Sequence, residues 1–216
     1  VEIYRDEDRA ETIARFYFLR QQRHKREGQV CRSLADNVAS RDSERIDFFG
    51  GFALTMGDEV DEFAATFRDA GDDYSAIIVQ SLGDRLAEAT AEYLHKIMRH
   101  QCGIGQDEGF AAETKLEEEQ ARFLIKEKYR GIRPAAGYPS CPDHSEKAVL
   151  WDLLEVEKRI AATLTSSYAM KPPSTVSGFY LNHSGAKYFN LGMIGKDQVS
   201  DYAERKNISL AEAEKW

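Results

Sequence analysis

Three of the five prolines in this chain fall within one stretch, Gly131-Ile-Arg-Pro-Ala-Ala-Gly-Tyr-Pro-Ser-Cys-Pro-Asp143. Proline removes a backbone donor and pushes its predecessor out of the helical region, so no regular element can run through it. The segment is an ordered loop or an irregular extended strap, and elements must be placed on either side of it. Upstream, residues 6–22 carry Ile13, Phe16, Tyr17 and Leu19 among charges and are expected to form an amphipathic helix. Residues 28–43 are polar and weakly periodic. Ile46 to Gly57 is aromatic and apolar, and is expected to form a strand with a bulge or close backbone approach at Gly50 and Gly51.

Asp58 to Ala70 has a helix signature, with Asp58 as cap and Gly71 as stop. Asp72 and Asp73 open the longest expected helix, reaching about His100. Its apolar stripe is Ile78, Leu82, Leu86, Ala89, Tyr93 and Ile97, and Gly83 inside it is a mild penalty. Residues 101–111 are glycine-rich and form a loop. The acidic run from Glu117 belongs to a further helix reaching Tyr129.

Downstream of the strap, Asp143-His-Ser-Glu146 has the form of a capping box ahead of a helix through Leu150, Leu153, Leu154 and Val156. From Thr163 to Ile194 the hydrophobic period shortens, which predicts two or three strands with the last pair a hairpin. Helices follow over 195–204 and after Ser209. Helices and antiparallel strands are segregated, so the fold class is α+β in a single domain spanning 1–216.

The 216 residues hold 29 Lys and Arg against 37 Asp and Glu, a formal net charge of -8. An acidic chain is not drawn to nucleic acid or anionic membrane, and neither is expected as a partner. The basic cluster Arg20, Arg23, Lys25 and Arg26 is expected to be a solvated helix end. Cys31, Cys102 and Cys141 are odd in number and far apart, which suits a reducing compartment and a cytoplasmic location. The chain opens on a charged segment without an initiator Met and closes on Trp216; continuation beyond both ends is expected.

Phosphate-loop, dinucleotide, nucleophile-elbow and zinc-protease motifs are absent. Cys141 and His144 could form half a metal site or a nucleophile pair, but no second cluster completes either, so Cys141 is expected to pack and no metal or catalytic residue is assigned. Asp84, Glu88 and Glu92 lie four apart on one helical face; they are a solvated face or a carboxylate set for a cation. In the strap, Arg133 offers a guanidinium, Pro134 is flanked by free backbone groups, and Tyr138 offers a ring. These could clamp a ligand carboxylate and stack a base; the alternative is a rigid crossover whose arginine pairs with a surface carboxylate.

Taken whole, Arg130 to Lys147 closely resembles the activation domain of cobalamin-dependent methionine synthase. Tyr4-Arg-Asp-Glu7, Leu19-Arg-Gln-Gln22, Asp72-Asp-Tyr74, Leu82 to His95, Ser177-Gly-Phe-Tyr180, Ala186-Lys-Tyr188 and Lys196 to Ala203 are similar to its other motifs. The resemblance implies a C-shaped α+β domain with a twisted antiparallel sheet that binds S-adenosylmethionine. It implies Arg133 on the methionine carboxylate, backbone around Ala135 and the ring of Tyr138 on the adenosine side, and Glu88 and Tyr188 as further groove residues. A further aspartate of the family lies upstream of the residues present here. Ala136 stands where the family often has proline, and Lys171 where it has an aromatic.

The implied function is to present S-adenosylmethionine for reductive methylation of cob(II)alamin. Cobalamin would sit on a partner domain of the same methyltransferase, and flavodoxin or a related flavoprotein would supply the electron. The isolated chain is expected to bind without turning over. A stand-alone module serving another corrinoid enzyme, and an interaction domain with a decayed groove, are the alternatives.

Overall fold

The computed structural model describes residues 1–23, 25–43, 45–109 and 117–215. In chain order the elements are β1 (Glu2–Tyr4), β2 (Thr12–Arg15), β3 (Gly50–Thr55), α1 (Glu59–Asp69), α2 (Asp73–Gln101), α3 (Glu118–Ile125), α4 (Glu146–Leu154), α5 (Val156–Ile160), β4 (Thr163–Leu164), β5 (Met170–Lys171), β6 (Thr175–Tyr180), α6 (Lys196–Lys206) and α7 (Leu210–Lys215). Short 3-10 turns occur at Leu34–Asn37 and Gln106–Glu108. The class is α+β as expected, and all strand pairing among the described residues is antiparallel. That pairing is divided among three two-stranded ribbons, β1–β2, β3–β6 and β4–β5. No described helix is long and apolar enough to cross a membrane.

The β3–β6 ribbon is the centre. Its register runs from Gly50↔Tyr180 to Thr55↔Thr175 without a slip, so Gly50 and Gly51 mark close approach rather than a bulge. A Cβ on Gly51 would stand 2.7 Å from Leu150 Cδ1, because α4 lies on that face. Alternation along β6 splits the core. Phe179 and Leu181 join Phe16, Phe18, Leu34 and Leu150 on one side. Tyr180 and Val176 join Phe52, Leu54, Ala87 and Ala91 on the other. Phe179 meets the rings of Phe16, Phe49 and Phe18 at 5.0, 5.1 and 5.7 Å, contacts worth about 0.5–1.5 kcal/mol each beyond their burial.

Several expectations are corrected. Residues 6–22 are not a helix. Thr12 to Phe18 is a β-branched and aromatic run, and the chain there is extended: β2 pairs with β1, and Phe16 N–H bonds to Val1 O at 2.8 Å. The basic cluster is therefore no helix end; Arg20 pairs with Asp36, and Arg23 bonds to Asn190 O at 2.9 Å. The hairpin falls at β4–β5, and residues 182–195 are irregular.

At the start of α4 no capping box forms. Asp143 instead accepts from Ser145 N–H at 2.7 Å, and Glu146 accepts from Tyr17 N–H at 2.9 Å. Asp58 makes no side-chain cap bond, whereas Asp72 and Ser209 do cap α2 and α7. Phe110, Ala111 and Trp216, on which sequence expectations also fell, lie outside the described residues.

The α2 stripe is the clearest reversal. Ile78, Leu82, Leu86 and Tyr93 are exposed, while Ala76, Gly83, Ala87 and Ala91 form the buried seam. Gly83 is more than a mild penalty: a Cβ there would stand 2.6 Å from Val60 Cγ1 of α1 and 2.8 Å from Ser174 Oγ. Small side chains let α1 and the β3–β6 ribbon approach the helix closely.

Candidate functional site

The proline-rich strap runs beside the second edge of β6. Ile132 and Leu181 exchange two backbone hydrogen bonds of 3.1 Å, and Phe179 N–H donates to Pro134 O at 2.8 Å. A Cβ on Gly178 would stand 2.7 Å from Pro134 O, so only glycine lets the strap lie this close. Beyond Pro134 the strap folds back on itself, with Gly137 N–H on Cys141 O at 2.7 Å and Cys141 N–H on Tyr138 O at 2.8 Å. Gly137 has a φ of +95°. Its far end is tied down through Asp143, which accepts from Tyr202 Oη at 2.6 Å and from Lys206 Nζ at 2.5 Å. A loop fixed at both ends on a packed ribbon is a rigid platform for its outward groups.

That platform forms one wall of a groove of about 800 Å³. Glu88 of α2, Phe52 of β3, Met170 of β5, Thr175 to Ser177 of β6, and Tyr188 to Asn190 supply the other walls. All five residues singled out in the sequence, Glu88, Arg133, Ala135, Tyr138 and Tyr188, line it. Tyr188 Oη accepts the Arg133 N–H at 2.9 Å, which binds the irregular C-terminal segment to the strap. Tyr138 is 60% exposed, so its ring is free to cover a ligand.

The guanidinium of Arg133 is held from behind. Nη1 donates to Glu92 Oε2 at 3.1 Å and lies 3.3 Å from His95 Nδ1. Tyr129 Oη donates to the same Glu92 oxygen at 2.9 Å. Burial opposes the charge of Arg133, but Glu92 and the neighbouring tyrosine oxygens outweigh it and hold its pKa above the ordinary value. His95 is fully buried and stacked on Tyr180 at 5.3 Å. Burial first, then the charges of Arg99 and Arg133, push its pKa down to about 2, so it stays neutral and Nδ1 is an acceptor.

The three carboxylates of α2, grouped by spacing, have separate fates. Asp84 accepts from Ser174 Oγ at 2.8 Å, Glu88 lines the groove, and Glu92 holds Arg133. His144 and Lys147 also line the groove, and the sequence did not single them out as groove residues. Lys147 Nζ lies 2.8 Å from His144 Nδ1 and donates to Tyr168 O at 3.0 Å; burial lowers its pKa. As groove residues, their sequence signal was membership of the Arg130–Lys147 stretch. Cys141 packs in the core, where burial raises its thiol pKa. Among the described residues, no group of three or more His, Cys, Asp or Glu side chains is placed to hold a metal ion.

Residues 1–207 match the family described as vitamin B12 dependent methionine synthase, activation domain. The chain belongs to this family. A solved structure of the MetH reactivation domain bound to AdoHcy is similar over 100% of this chain, with 47% sequence identity and a TM-score of 0.89. The chain spans 63% of that relative's length. In this activation domain, then, the strap, the centre of α2 and the segment after Leu181 come together from three separate parts of the chain to build one groove.

Proposed function

We propose that the groove binds S-adenosylmethionine and that the chain is the reactivation module of a cobalamin-dependent methionine synthase, a methyltransferase. The observation that carries this reading is the meeting of Arg133, Glu88, Tyr138 and Tyr188 in one groove of an activation-domain chain. The groove's size is in the range of small-molecule sites. Arg133, largely buried and permanently charged, receives the methionine carboxylate; a hydrogen bond to a charged group is worth about 1.5–3 kcal/mol. Backbone groups at Ala135 and the ring of Tyr138 hold the adenosine, and Tyr188 closes the wall beside Arg133. Glu88 faces the cationic sulfonium and ammonium groups, but it is exposed, so its attraction is worth about 1 kcal/mol or less.

No side chain here needs to act as acid or base, since positioning the methyl group is the chain's task. Cobalamin, carried by a partner domain of the same enzyme, supplies the methyl acceptor, and flavodoxin or a related flavoprotein supplies the reductant. The setting is cytoplasmic. Calorimetric titration of S-adenosylmethionine into the purified chain tests the reading. One-to-one binding is expected, with a loss of about tenfold to a hundredfold in Arg133→Ala. Equal affinity in the two proteins would remove Arg133 from the site.

A further inference from the structure

Arg133 offers five N–H donors in a rigid fork, and the contacts to Glu92 and His95 both fall on one nitrogen of it. Glu92 and His95 both meet Nη1, and the Tyr129 hydroxyl reaches the guanidinium as well. Glu92 is itself braced. Tyr129 holds its Oε2, and Arg99 Nη1 stands 4.0 Å from its Oε1. Arg99 in turn makes a two-point pair with Glu108, at 2.7 and 3.1 Å, and its Cζ lies 3.6 Å over the Tyr129 ring. These supports come from α2, the 3-10 turn at Gln106–Glu108 and the segment after α3. Apart from Arg133 itself, none of them belongs to the strap.

We propose that Glu92 is the positioning residue for Arg133: by accepting Nη1 it sets the plane of the guanidinium in the groove wall and keeps it ready for a ligand carboxylate. The inference rests on the reading of Arg133 as the carboxylate receptor. An arginine on a flexible stem gains little from one charged partner unless its fork is fixed in the right plane, and two-point recognition of a carboxylate needs that plane. Two effects of Glu92 oppose each other. Its charge repels a carboxylate on the far side of the guanidinium, while its hydrogen bond sets the guanidinium's direction. Glutamine keeps the acceptor and removes the repulsion. Leucine removes both.

Titration calorimetry with S-adenosylmethionine on the 216-residue chain separates these roles through a double-mutant cycle. Glu92→Leu is expected to weaken binding about tenfold when Arg133 is present and less than about twofold in the Arg133→Ala background, with Glu92→Gln within about threefold of the parent. If Arg133→Ala alone leaves affinity unchanged, the carboxylate reading falls and the inference with it. If Arg133→Ala weakens binding but Glu92→Leu does not, or does so equally in both backgrounds, the inference alone is overturned. Should circular dichroism show Glu92→Leu unfolded, Tyr129→Phe takes its place. Releasing that brace is expected to cost about two- to fivefold, only when Arg133 is present. Equal loss in both backgrounds, or none, overturns the proposal.

Discussion

Gly178→Ala is the smallest change that tests how the strap is held. The added methyl would stand 2.7 Å from Pro134 O and 3.0 Å from Phe52 Cε1. The first obstacle is backbone, fixed by the 2.8 Å bond from Phe179 N–H and by the Ile132–Leu181 pair on the same edge. The second is a ring stacked at 4.8 Å on Tyr180. Neither can swing away as a long side chain would. Relief requires the strap to move off β6 by several tenths of an ångström, at an overpacking cost of about 1–3 kcal/mol. Stretching the Phe179–Pro134 hydrogen bond adds about 0.5–1.5 kcal/mol. Alanine's better backbone propensity returns less than about 1 kcal/mol.

The net expectation for Gly178→Ala is a loss of about 2 kcal/mol, read by urea unfolding, or about 4–8 °C in Tm for a chain of this size. Because the moved segment carries Arg133 one residue before Pro134, S-adenosylmethionine affinity should fall as well. A variant within about 0.5 kcal/mol of the parent, with unchanged affinity, would refute the view that Gly178 sets the strap's position.

Two further outcomes follow from buried groups. His95 has a folded-state pKa near 2 and an ordinary unfolded value near 6.5, so its contribution is complete above pH 6.5 and is lost as pH falls. The chain should lose up to about 1.4 kcal/mol per pH unit below pH 6, and urea midpoints at pH 7 and 5 should converge in His95→Gln; a parallel pH dependence in the variant would count against it. Gly83→Ala pits about 1 kcal/mol of helix propensity against about 1–3 kcal/mol of overpacking on Val60 and Ser174, so thermal unfolding should show a less stable protein. A more stable variant would mean the α1–α2 seam is looser than its geometry.

Where one local rule acted without competition, the sequence was legible. The strap followed from its prolines, the end of α1 from its Gly71 stop, the start of α2 from its Asp72 cap, and β3 and β6 from aromatic and β-branched runs. Where two rules overlapped, it misled. Ile13, Phe16, Tyr17 and Leu19 satisfy a helical stripe, but the same stretch is also a β-branched and aromatic run, and pairing with β1 decided for the strand. At Asp143–Glu146 a capping box was available, yet Lys206 and Tyr17 N–H arrive from elements far along the chain and take Glu146 instead. Local hydrogen bonds lose when a buried carboxylate can meet a buried ammonium.

The site was legible only as a list of members. Arg133, Glu88, Ala135, Tyr138 and Tyr188 were all nameable from motif strings, but the hold of Glu92 on Arg133 was not. Glu88 and Glu92 are identical in type and one helical turn apart, and spacing treats them alike. What separates them is the rotation of α2, and that rotation is set by its smallest residues. Ala87 and Ala91 turn inward because only they allow the β3–β6 ribbon to pack against the helix, with Phe52 and Tyr180 filling the seam. Once they point inward, Leu82 and Leu86 must face out, Glu88 meets the groove, and Glu92 falls behind the strap beside Arg133. A pattern that weighs apolar size would rotate the helix the other way and place both carboxylates wrongly. Close approach, which no single side chain's hydrophobicity measures, fixes which glutamate lines the groove and which one holds the arginine.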